Sequence, residues 1–248
     1  MTAAKTAPKT AMVLAAGLGT RMRPLTDDRP KALVEVQGRA LIDHVLDRLA
    51  DAGVEKAAVN VHWFADRLES HLAARGKNPK NRGPEIVISD ERAELLETGG
   101  GLKKARALLG SDPIFVANID AIWTEDGVPA LDALAAAYDP AAMDACLLLA
   151  RMDQTLGFDG PGDMFLDNGR ARFRGDAASA PFAFAGVHIT KPSVVDGEPD
   201  GPFSLSKLWR VMAEQGRLGA VVLDGFWMHV GDPQARDDAQ ARLVGAGH

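Results

Sequence analysis

A glycine-rich segment with four basic side chains follows the first apolar run of the chain. Ala11–Ala15 leads into Gly17 and Gly19, and the cations that follow are Arg21, Arg23, Arg29 and Lys31. Glycine lets backbone N–H groups face a ligand, and such concave groups of amides suit anions. Guanidinium and ammonium groups add affinity for phosphate oxygens. The segment therefore predicts a polyphosphate site, and a structural turn with solvated arginines is the alternative.

The same segment does not match two common phosphate-binding motifs. No Gly-Lys-Ser/Thr follows the glycines, so the segment is not a Walker A loop. Met22 stands where a dinucleotide-binding fingerprint needs its third glycine. The chemistry therefore has to be inferred from the cations beside the turn.

A second glycine run, Glu97-Thr98-Gly99-Gly100-Gly101, comes directly before a helical pattern over Leu102–Leu109. Three consecutive glycines at a helix start are costly unless something lies close against the backbone. The run predicts a base or a sugar packed there, with a flexible entry loop as the alternative.

The third candidate is Asn118-Ile119-Asp120, at the end of an apolar run that begins at Ile114. A carboxylate at the end of a buried strand suits a hard divalent cation, which prefers oxygen ligands. Capping of the following turn is the alternative role for Asp120. No histidine has a spacing or partner that would indicate a hydrolytic triad.

Apolar runs alternate with helical patterns over most of the chain, which indicates βαβ units. The predicted fold is α/β, Rossmann-like and doubly wound, with a mostly parallel sheet and a small, partly antiparallel elaboration. The predicted strands are Ala11–Ala15, Lys56–Val61, Glu85–Ser89, Ile114–Ala117, Ala145–Ala150, Phe182–Ile189 and Ala220–Leu223. Ligands of such sheets bind beyond the carboxyl ends of the strands, which is where the three candidate sites fall.

The chain is predicted to be a single domain over residues 1–248. Its core covers about 10–154 and is completed by about 206–248. Gly, Pro and Asp become frequent after about residue 154, and residues 155–205 are expected to form a smaller, partly antiparallel elaboration on the sheet. Within it, Asn168-Gly169 predicts a type I′ hairpin turn.

Composition excludes several classes of protein. The 248 residues carry 34 acidic and 28 basic side chains, and this net charge of −6 argues against a nucleic-acid or anionic-membrane partner. Residues 1–31 nevertheless hold six basic and two acidic side chains. The single cysteine, Cys146, cannot form an internal disulfide and is expected to be buried. A cytoplasmic monomer or small homo-oligomer is expected.

The segment from Leu14 to Thr26, with Pro30-Lys31, closely resembles the signature of sugar-1-phosphate nucleotidyltransferases. Asn118–Asp120 resembles that family's Asn-Gly-Asp metal site, and Phe226–Pro233 resembles its Trp-x-Asp-Val-Gly-Thr element. The short chain and the run Leu96–Gly101 are similar to the bacterial N-acetylmuramate-1-phosphate uridylyltransferases of peptidoglycan recycling. The fold implied is that of the nucleotide-diphospho-sugar transferases, in which the core of about 10–154 would bind the nucleotide and the elaboration of about 155–205 would lie on the sugar side.

The resemblance implies a role for each matching residue. Arg21, Lys31 and Asp120 would be catalytic, and Asp120 and His229 would hold Mg²⁺, or Mn²⁺ in its place. The sugar-side residues would be Glu97, Asp163 and Gly186. The nucleotide-binding residues would be Ala15, Ala16, Gly17, Gly19, Thr20, Arg21, Thr98, Gly99 and Gly100.

The sequence departs from the family pattern in three places. Ile119 replaces the middle glycine of Asn-Gly-Asp, and His229 replaces the second metal-binding aspartate. His229 could act through a water or bind a softer ion, or Asp232 could take its place. The family's Glu-Lys-Pro segment is missing, with Arg172 or Arg174 as the candidate substitute.

The expected activity is transfer of a nucleotide, most readily from UTP, to a sugar 1-phosphate such as N-acetylmuramate 1-phosphate, with release of pyrophosphate. Two alternatives remain open at this point. One is a guanylyl- or thymidylyltransferase for mannose or glucose 1-phosphate. The other is a non-catalytic regulator that binds a nucleotide sugar, which the histidine at position 229 favours.

Overall fold

The computed structural model describes residues 7–77 and 83–245. The termini of the predicted domain, 1–6 and 246–248, lie outside the described residues. The strands are β1 (Thr10–Leu14), β2 (Glu35–Val36), β3 (Arg39–Ala40), β4 (Lys56–Val61), β5 (Glu85–Asp90), β6 (Ile114–Asn118), β7 (Ala121–Glu125), β8 (Ala145–Arg151), β9 (Thr155–Leu156), β10 (Met164–Asp167), β11 (Arg170–Phe173), β12 (Phe182–Thr190), β13 (Leu218–Val222) and β14 (Gly225–His229). The helices are α1 (Leu41–Asp51), α2 (Ala65–Lys77), α3 (Glu97–Lys104), α4 (Ala130–Ala137), α5 (Leu205–Glu214) and α6 (Pro233–Gly245).

A large central sheet runs through the molecule in the order β10-β11-β13-β8-β12-β6-β1-β4-β5. The half from β6 to β5 is parallel throughout, and β8 and β13 are also parallel to each other. One core packs α1, α2, α4 and α6 against one face, and a second core packs α3 and α5 against the other. The predicted doubly wound α/β fold is confirmed.

β12 lies in the middle of this sheet, although its residues fall within the predicted elaboration. It is antiparallel to both β6 and β8. Because of that direction, the beginning of β12 reaches the same edge of the sheet as the carboxyl ends of β6 and β8. The chain division near residues 154 and 205 remains a prediction, but it does not coincide with a break in the sheet.

The predicted hairpin is present, whereas β7 and β14 are among the strands that were not predicted. β10 and β11 are antiparallel, and Asn168 and Gly169 between them both have positive φ, as a type I′ turn requires. β7 and β14 pair with each other in a separate three-stranded sheet with β9. In this sheet Ala121 is opposite His229, and the Val230 amide donates to the Asp120 carbonyl at 2.9 Å. The small sheet therefore brings Asp120 and His229, which are far apart in the sequence, close together.

Candidate active site

A cleft of about 470 Å³ opens at the carboxyl ends of β1, β4, β5 and β6. The predicted site residues that line it come from four separate segments of the chain. They are Ala15, Ala16, Gly17, Gly19, Thr20, Arg21, Lys31, Glu97, Thr98 and Asp120. Of the other predicted residues, His229 contacts Asp120, while Gly99, Gly100, Asp163 and Gly186 do not line the cleft.

The loop after β1 forms one wall of the cleft. Asn60 Oδ1 accepts hydrogen bonds from the amides of Ala15 at 2.6 Å and Ala16 at 3.2 Å. The next three amides, of residues 17–19, have no hydrogen-bond partner within the described residues. Gly19 adopts φ 63°, and a Cβ there would lie 3.0 Å from both Lys31 and Thr26. A β-carbon at Gly17 would meet no protein atom, so the loop offers open amides beside open space.

Only two of the four predicted cations line this cleft. Arg21 is exposed and has no acidic partner within the described residues. Arg23 pairs instead with Asp27 at 3.6 Å, and Arg29 pairs with Asp28 at 2.8 Å. The prediction of a four-cation phosphate cluster is therefore narrowed to Arg21 and the buried Lys31.

Lys31, Asp120 and His229 form a polar cluster on the opposite wall. Lys31 Nζ lies 2.7 Å from Asp120 Oδ2, and His229 Nε2 lies 3.5 Å from the same oxygen. Burial raises the pKa of the Asp120 carboxyl, but the charge of the Lys31 ammonium lowers it, and the pKa lies well below its usual range. Asp120 is therefore ionised at neutral pH.

His229 has the orientation of a metal-binding histidine. Its Nδ1 lies 3.0 Å from the Gly157 carbonyl, which can only accept a hydrogen bond. The neutral ring therefore carries its proton on Nδ1 and directs the Nε2 lone pair toward Asp120. Asp232, the alternative metal ligand, instead contacts the start of α6, where its Oδ1 accepts a hydrogen bond from the Ala235 amide at 2.9 Å.

The donor set fits a divalent cation that takes most of its ligands from substrate. No group of three His, Cys, Asp or Glu side chains that could hold a metal occurs in residues 7–77 and 83–245. One carboxylate, of Asp120, and one imidazole nitrogen, of His229, nevertheless converge. Mg²⁺ that binds beside phosphate groups usually keeps only one or two protein ligands, and phosphate oxygens and water complete its coordination. Asp120 and His229 are the residues that would hold it.

The glycine run at 99–101 is not an entry loop but the body of α3. The amides of Gly99 and Gly100 donate to the Phe203 carbonyl at 2.8 and 3.2 Å. A Cβ at Gly99 would lie 2.3 Å from the Phe203 ring, and one at Gly100 would lie 2.3 Å from the Gly201 carbonyl oxygen. At both positions the protein's own 201–203 loop lies where a side chain would point, and neither glycine lines the cleft. The role of these glycines in holding a base stays a prediction.

Thr98 and Glu97 are placed differently from these glycines. Thr98 Oγ1 accepts from the Leu205 amide at 2.9 Å and so ties α3 to the start of α5. Glu97 is an exposed residue of the cleft wall with φ 56°, a conformation that is unfavourable for a residue with a side chain. Both line the cleft.

Two of the predicted sugar-side residues lie outside the cleft. Asp163 lines a smaller neighbouring cavity, and its Oδ2 accepts from the Phe184 amide at 3.0 Å. Gly186 has φ 85°, and a Cβ there would lie 2.7 Å from Ala121, so close packing against β7 already requires glycine. Arg174 lines the cavity with Asp163, whereas Arg172 lines neither space and rests on the Phe165 ring.

Asn60 and Glu91 are cleft residues that the sequence reasoning missed. Asn60 Nδ2 donates to Glu91 Oε1 at 2.8 Å, and Glu91 is fully buried without a basic partner within the described residues. Burial raises the pKa of Glu91. A Cβ at Gly101 would lie within 3 Å of both side chains, so that glycine makes room for the pair. Each stands at the end of a predicted strand, the same signal that singled out Asp120.

The chain matches a family of known proteins, and it matches two relatives over nearly its whole length. The MobA-like NTP transferase domain matches residues 11–158. The N-acetylmuramate alpha-1-phosphate uridylyltransferase of Caulobacter vibrioides is 60% identical over 241 residues, covering 97% of this chain and 99% of the relative. The enzyme of the same name from Neisseria meningitidis is 34% identical, covering 95% of this chain and 98% of the relative.

A solved structure shares the fold at low sequence identity. The crystal structure of UDP-glucose pyrophosphorylase complexed with UDP-glucose superposes with a TM-score of 0.78 at 18% identity, covering 96% of this chain and 99% of that one. None of the described helices is long and apolar enough to cross a membrane. On the basis of the family match and of the two relatives, the chain belongs to the MobA-like NTP transferase family and is one of its sugar-1-phosphate nucleotidyltransferases.

Proposed function

We propose that the protein transfers the uridylyl group of UTP to N-acetylmuramate 1-phosphate and releases pyrophosphate. The observation that carries the proposal is the convergence, in one cleft, of the open amides of residues 17–19, the unpaired Arg21 and the Lys31–Asp120 pair. The choice of base and sugar rests on the names of the two relatives that this chain matches over nearly its whole length.

The reaction needs positioning and charge neutralisation more than a protein nucleophile. A phosphate oxygen of the sugar 1-phosphate attacks the α-phosphorus of UTP in line, and the bond to the bridging α–β oxygen breaks as pyrophosphate leaves. Two anionic reactants have to be brought together, so fixed cations and amides lower the barrier. The reaction therefore does not require an acid–base pair of carboxylates.

Each wall of the cleft has its own task in this scheme. The amides of residues 17–19 and the Arg21 guanidinium hold the β- and γ-phosphates. Lys31 neutralises the charge that develops at the α-phosphate, since it lies beside Asp120 and faces the same space. Asp120 and His229 would hold Mg²⁺, or Mn²⁺, which would supply polarisation of the phosphoryl oxygens.

The nucleoside lies toward the end of the cleft formed by α3. Ala15, Ala16 and Thr98 line the base and ribose, and the backbone fixed by Asn60 keeps that surface rigid. Glu97, with its strained backbone, is available to sugar hydroxyls. We further propose that the chain is a single domain that works in the cytoplasm, as a monomer or small homo-oligomer, in peptidoglycan recycling.

The test is a panel of UTP, CTP, GTP and dTTP against several sugar 1-phosphates, with pyrophosphate release measured in Mg²⁺ and in Mn²⁺. The proposal expects the largest kcat/KM with UTP and N-acetylmuramate 1-phosphate. Preference for GTP with mannose 1-phosphate would assign a guanylyltransferase activity instead, and preference for dTTP with glucose 1-phosphate would assign a thymidylyltransferase activity. Tight binding of UDP-sugar without turnover in either metal would indicate a regulator.

A further inference from the structure

A second cavity of about 340 Å³ adjoins the cleft at the start of α5. Ser204 lines the cleft and Ser206 lines the cavity, and their hydroxyl oxygens are 3.0 Å apart. Phe184, near the beginning of β12, also lines the cavity. The beginning of β12 lies at the same edge of the sheet as the carboxyl ends that form the cleft, so a ligand that extends beyond the cleft can enter the cavity.

The cavity carries more positive than negative charge. Its charged side chains are Arg174, Arg210 and Asp163. Arg174 donates from Nε to the Gly162 carbonyl at 3.1 Å and from Nη1 to the Ala177 carbonyl, so no carboxylate neutralises it. Asp163 accepts from a backbone amide and pairs with no cation within the described residues. A surplus of one positive charge remains in a chain whose net charge is −6.

Arg210 is the cation of this cavity that is available to a ligand. Its side chain has no hydrogen bond or ion pair within the described residues, and its guanidinium carbon lies 4.4 Å from the centre of the Phe173 ring. Contact with the ring holds the guanidinium in place and leaves its N–H groups free. Trp209 and Phe184 supply a further apolar wall, with their rings 4.7 Å apart.

We infer that this cavity receives the carboxylate-bearing arm of the acceptor sugar and that Arg210, supported by the charge of Arg174, binds the carboxylate. The inference rests on the proposed function. N-acetylmuramate differs from N-acetylglucosamine by a lactyl ether at O3, whose short apolar arm ends in a carboxylate. Arginine pairs with a carboxylate through two parallel hydrogen bonds, and the aromatic wall suits the methyl group of the arm.

This assignment makes Arg210 a specificity residue. A sugar without the lactyl group leaves the cavity unused and loses nothing when Arg210 is changed. A sugar with that group loses a charge-assisted pair of hydrogen bonds, which corresponds to a factor of about 10 to 100 in kcat/KM.

The test compares UDP-sugar formation from N-acetylmuramate 1-phosphate and from N-acetylglucosamine 1-phosphate in Arg210→Gln, Arg210→Lys and the control Arg172→Gln. Arg172 makes the same contact with an aromatic ring, 4.5 Å from Phe165, but lines neither the cavity nor the cleft. The ratio of dissociation constants for the two UDP-sugar products, measured by calorimetry, gives a second readout that does not depend on turnover.

We expect Arg210→Gln to lower kcat/KM about 10- to 100-fold for the lactyl sugar and less than twofold for the other, with partial recovery in Arg210→Lys. Arg172→Gln should leave both substrates unchanged. Equal losses for the two sugars, or no loss for either, would overturn the assignment of Arg210 while leaving the proposed function intact. A wild-type protein that forms neither UDP-sugar would overturn the proposed function itself.

Discussion

The ammonium of Lys31 lies 2.7 Å from Asp120 Oδ2, the same oxygen that faces the His229 ring. Because Lys31 is buried, this ion pair belongs to the structure of the free protein as well as to its chemistry. We expect Asp120→Asn to lower kcat about 10³-fold, as loss of a fixed electrostatic group in an active site does. It should also lower the free energy of unfolding by about 1–3 kcal/mol, because Lys31 loses its charged partner.

Pyrophosphate release and denaturant unfolding measure the two effects of Asp120→Asn separately. Asp144→Asn is the matched control, since Asp144 also pairs at 2.7 Å with a cation, Arg217, but does not line the cleft. It should keep its turnover. Normal turnover in Asp120→Asn would remove Asp120 from the reaction.

Comparing changes at Arg21 and Arg23 distinguishes a specific contact with phosphate from a general effect of surface charge. Arg21 lines the cleft unpaired, whereas Arg23 is paired with Asp27 outside it. Arg21→Ala should raise the KM for the nucleoside triphosphate about 10- to 100-fold, the loss expected for a charge-assisted contact with phosphate. Steady-state kinetics at fixed ionic strength would show a change of less than threefold in Arg23→Ala, and similar effects of both changes would argue against a specific role for Arg21.

The imidazole at position 229 should influence the choice of metal. Nitrogen ligands suit Mn²⁺ better than Mg²⁺, which prefers oxygen. We expect His229→Asp to raise the ratio of Mg²⁺-supported to Mn²⁺-supported turnover. His44→Asn is the control, because that ring also contacts a backbone carbonyl at 3.0 Å but lies away from the cleft. An unchanged metal ratio in His229→Asp would mean that this ring does not contact the metal.

His188 should make the fold sensitive to mild acid. The ring is buried between Phe184 and Trp209 without a hydrogen-bond partner within the described residues, and burial lowers its pKa to about 3. The unfolded chain binds a proton near pH 6.5 that the folded protein does not, so stability falls as the pH drops below that value. Between pH 6.5 and 5 the loss is about 1.6 kcal/mol.

Denaturant unfolding at a series of pH values measures this dependence. His188→Phe keeps a ring in the same core and should remove most of the loss between pH 6.5 and 5. If the two proteins lose the same stability over that range, another group is responsible.

Side chains at Gly99 and Gly100 should destabilise the fold, because both glycines are closely packed. A Cβ at Gly100 would lie 2.3 Å from the Gly201 carbonyl oxygen, which is backbone and cannot rotate away. Gly100→Ala should lower the free energy of unfolding by about 1–3 kcal/mol. Gly76→Ala in α2 meets no atom within 4 Å and should raise it by about 0.5–1 kcal/mol. A neutral Gly100→Ala would contradict the packing described for α3.

The sequence was most informative where a polar residue follows a buried strand. The loop after β1 and Asp120 both obey that rule, and both line the cleft. Glu91 obeys it too, and Asn60 is the next-to-last residue of β4, but an isolated amide or carboxylate at a strand end carries no distinctive spacing. Their role depends on hydrogen bonds between β1, β4 and β5, which only the folded chain reveals.

Other features could not be predicted because long-range contacts override local preferences. Three glycines disfavour a helix, yet residues 99–101 are helical because the Phe203 carbonyl accepts two of their amides. β7 and β14 are short and lie far apart in the chain, so their pairing has no local signal. The position of β12 between β6 and β8 likewise follows from the topology of the whole sheet.

The pairing of β7 with β14 sets an order on the assembly of the protein during synthesis. The loop after β1 and the Lys31–Asp120 pair lie in the part of the chain that leaves the ribosome first, whereas His229 ends the last strand. A nascent chain that stops before β14 thus contains Asp120 without His229. The pair that would hold the metal is completed only when the last strand joins the small sheet.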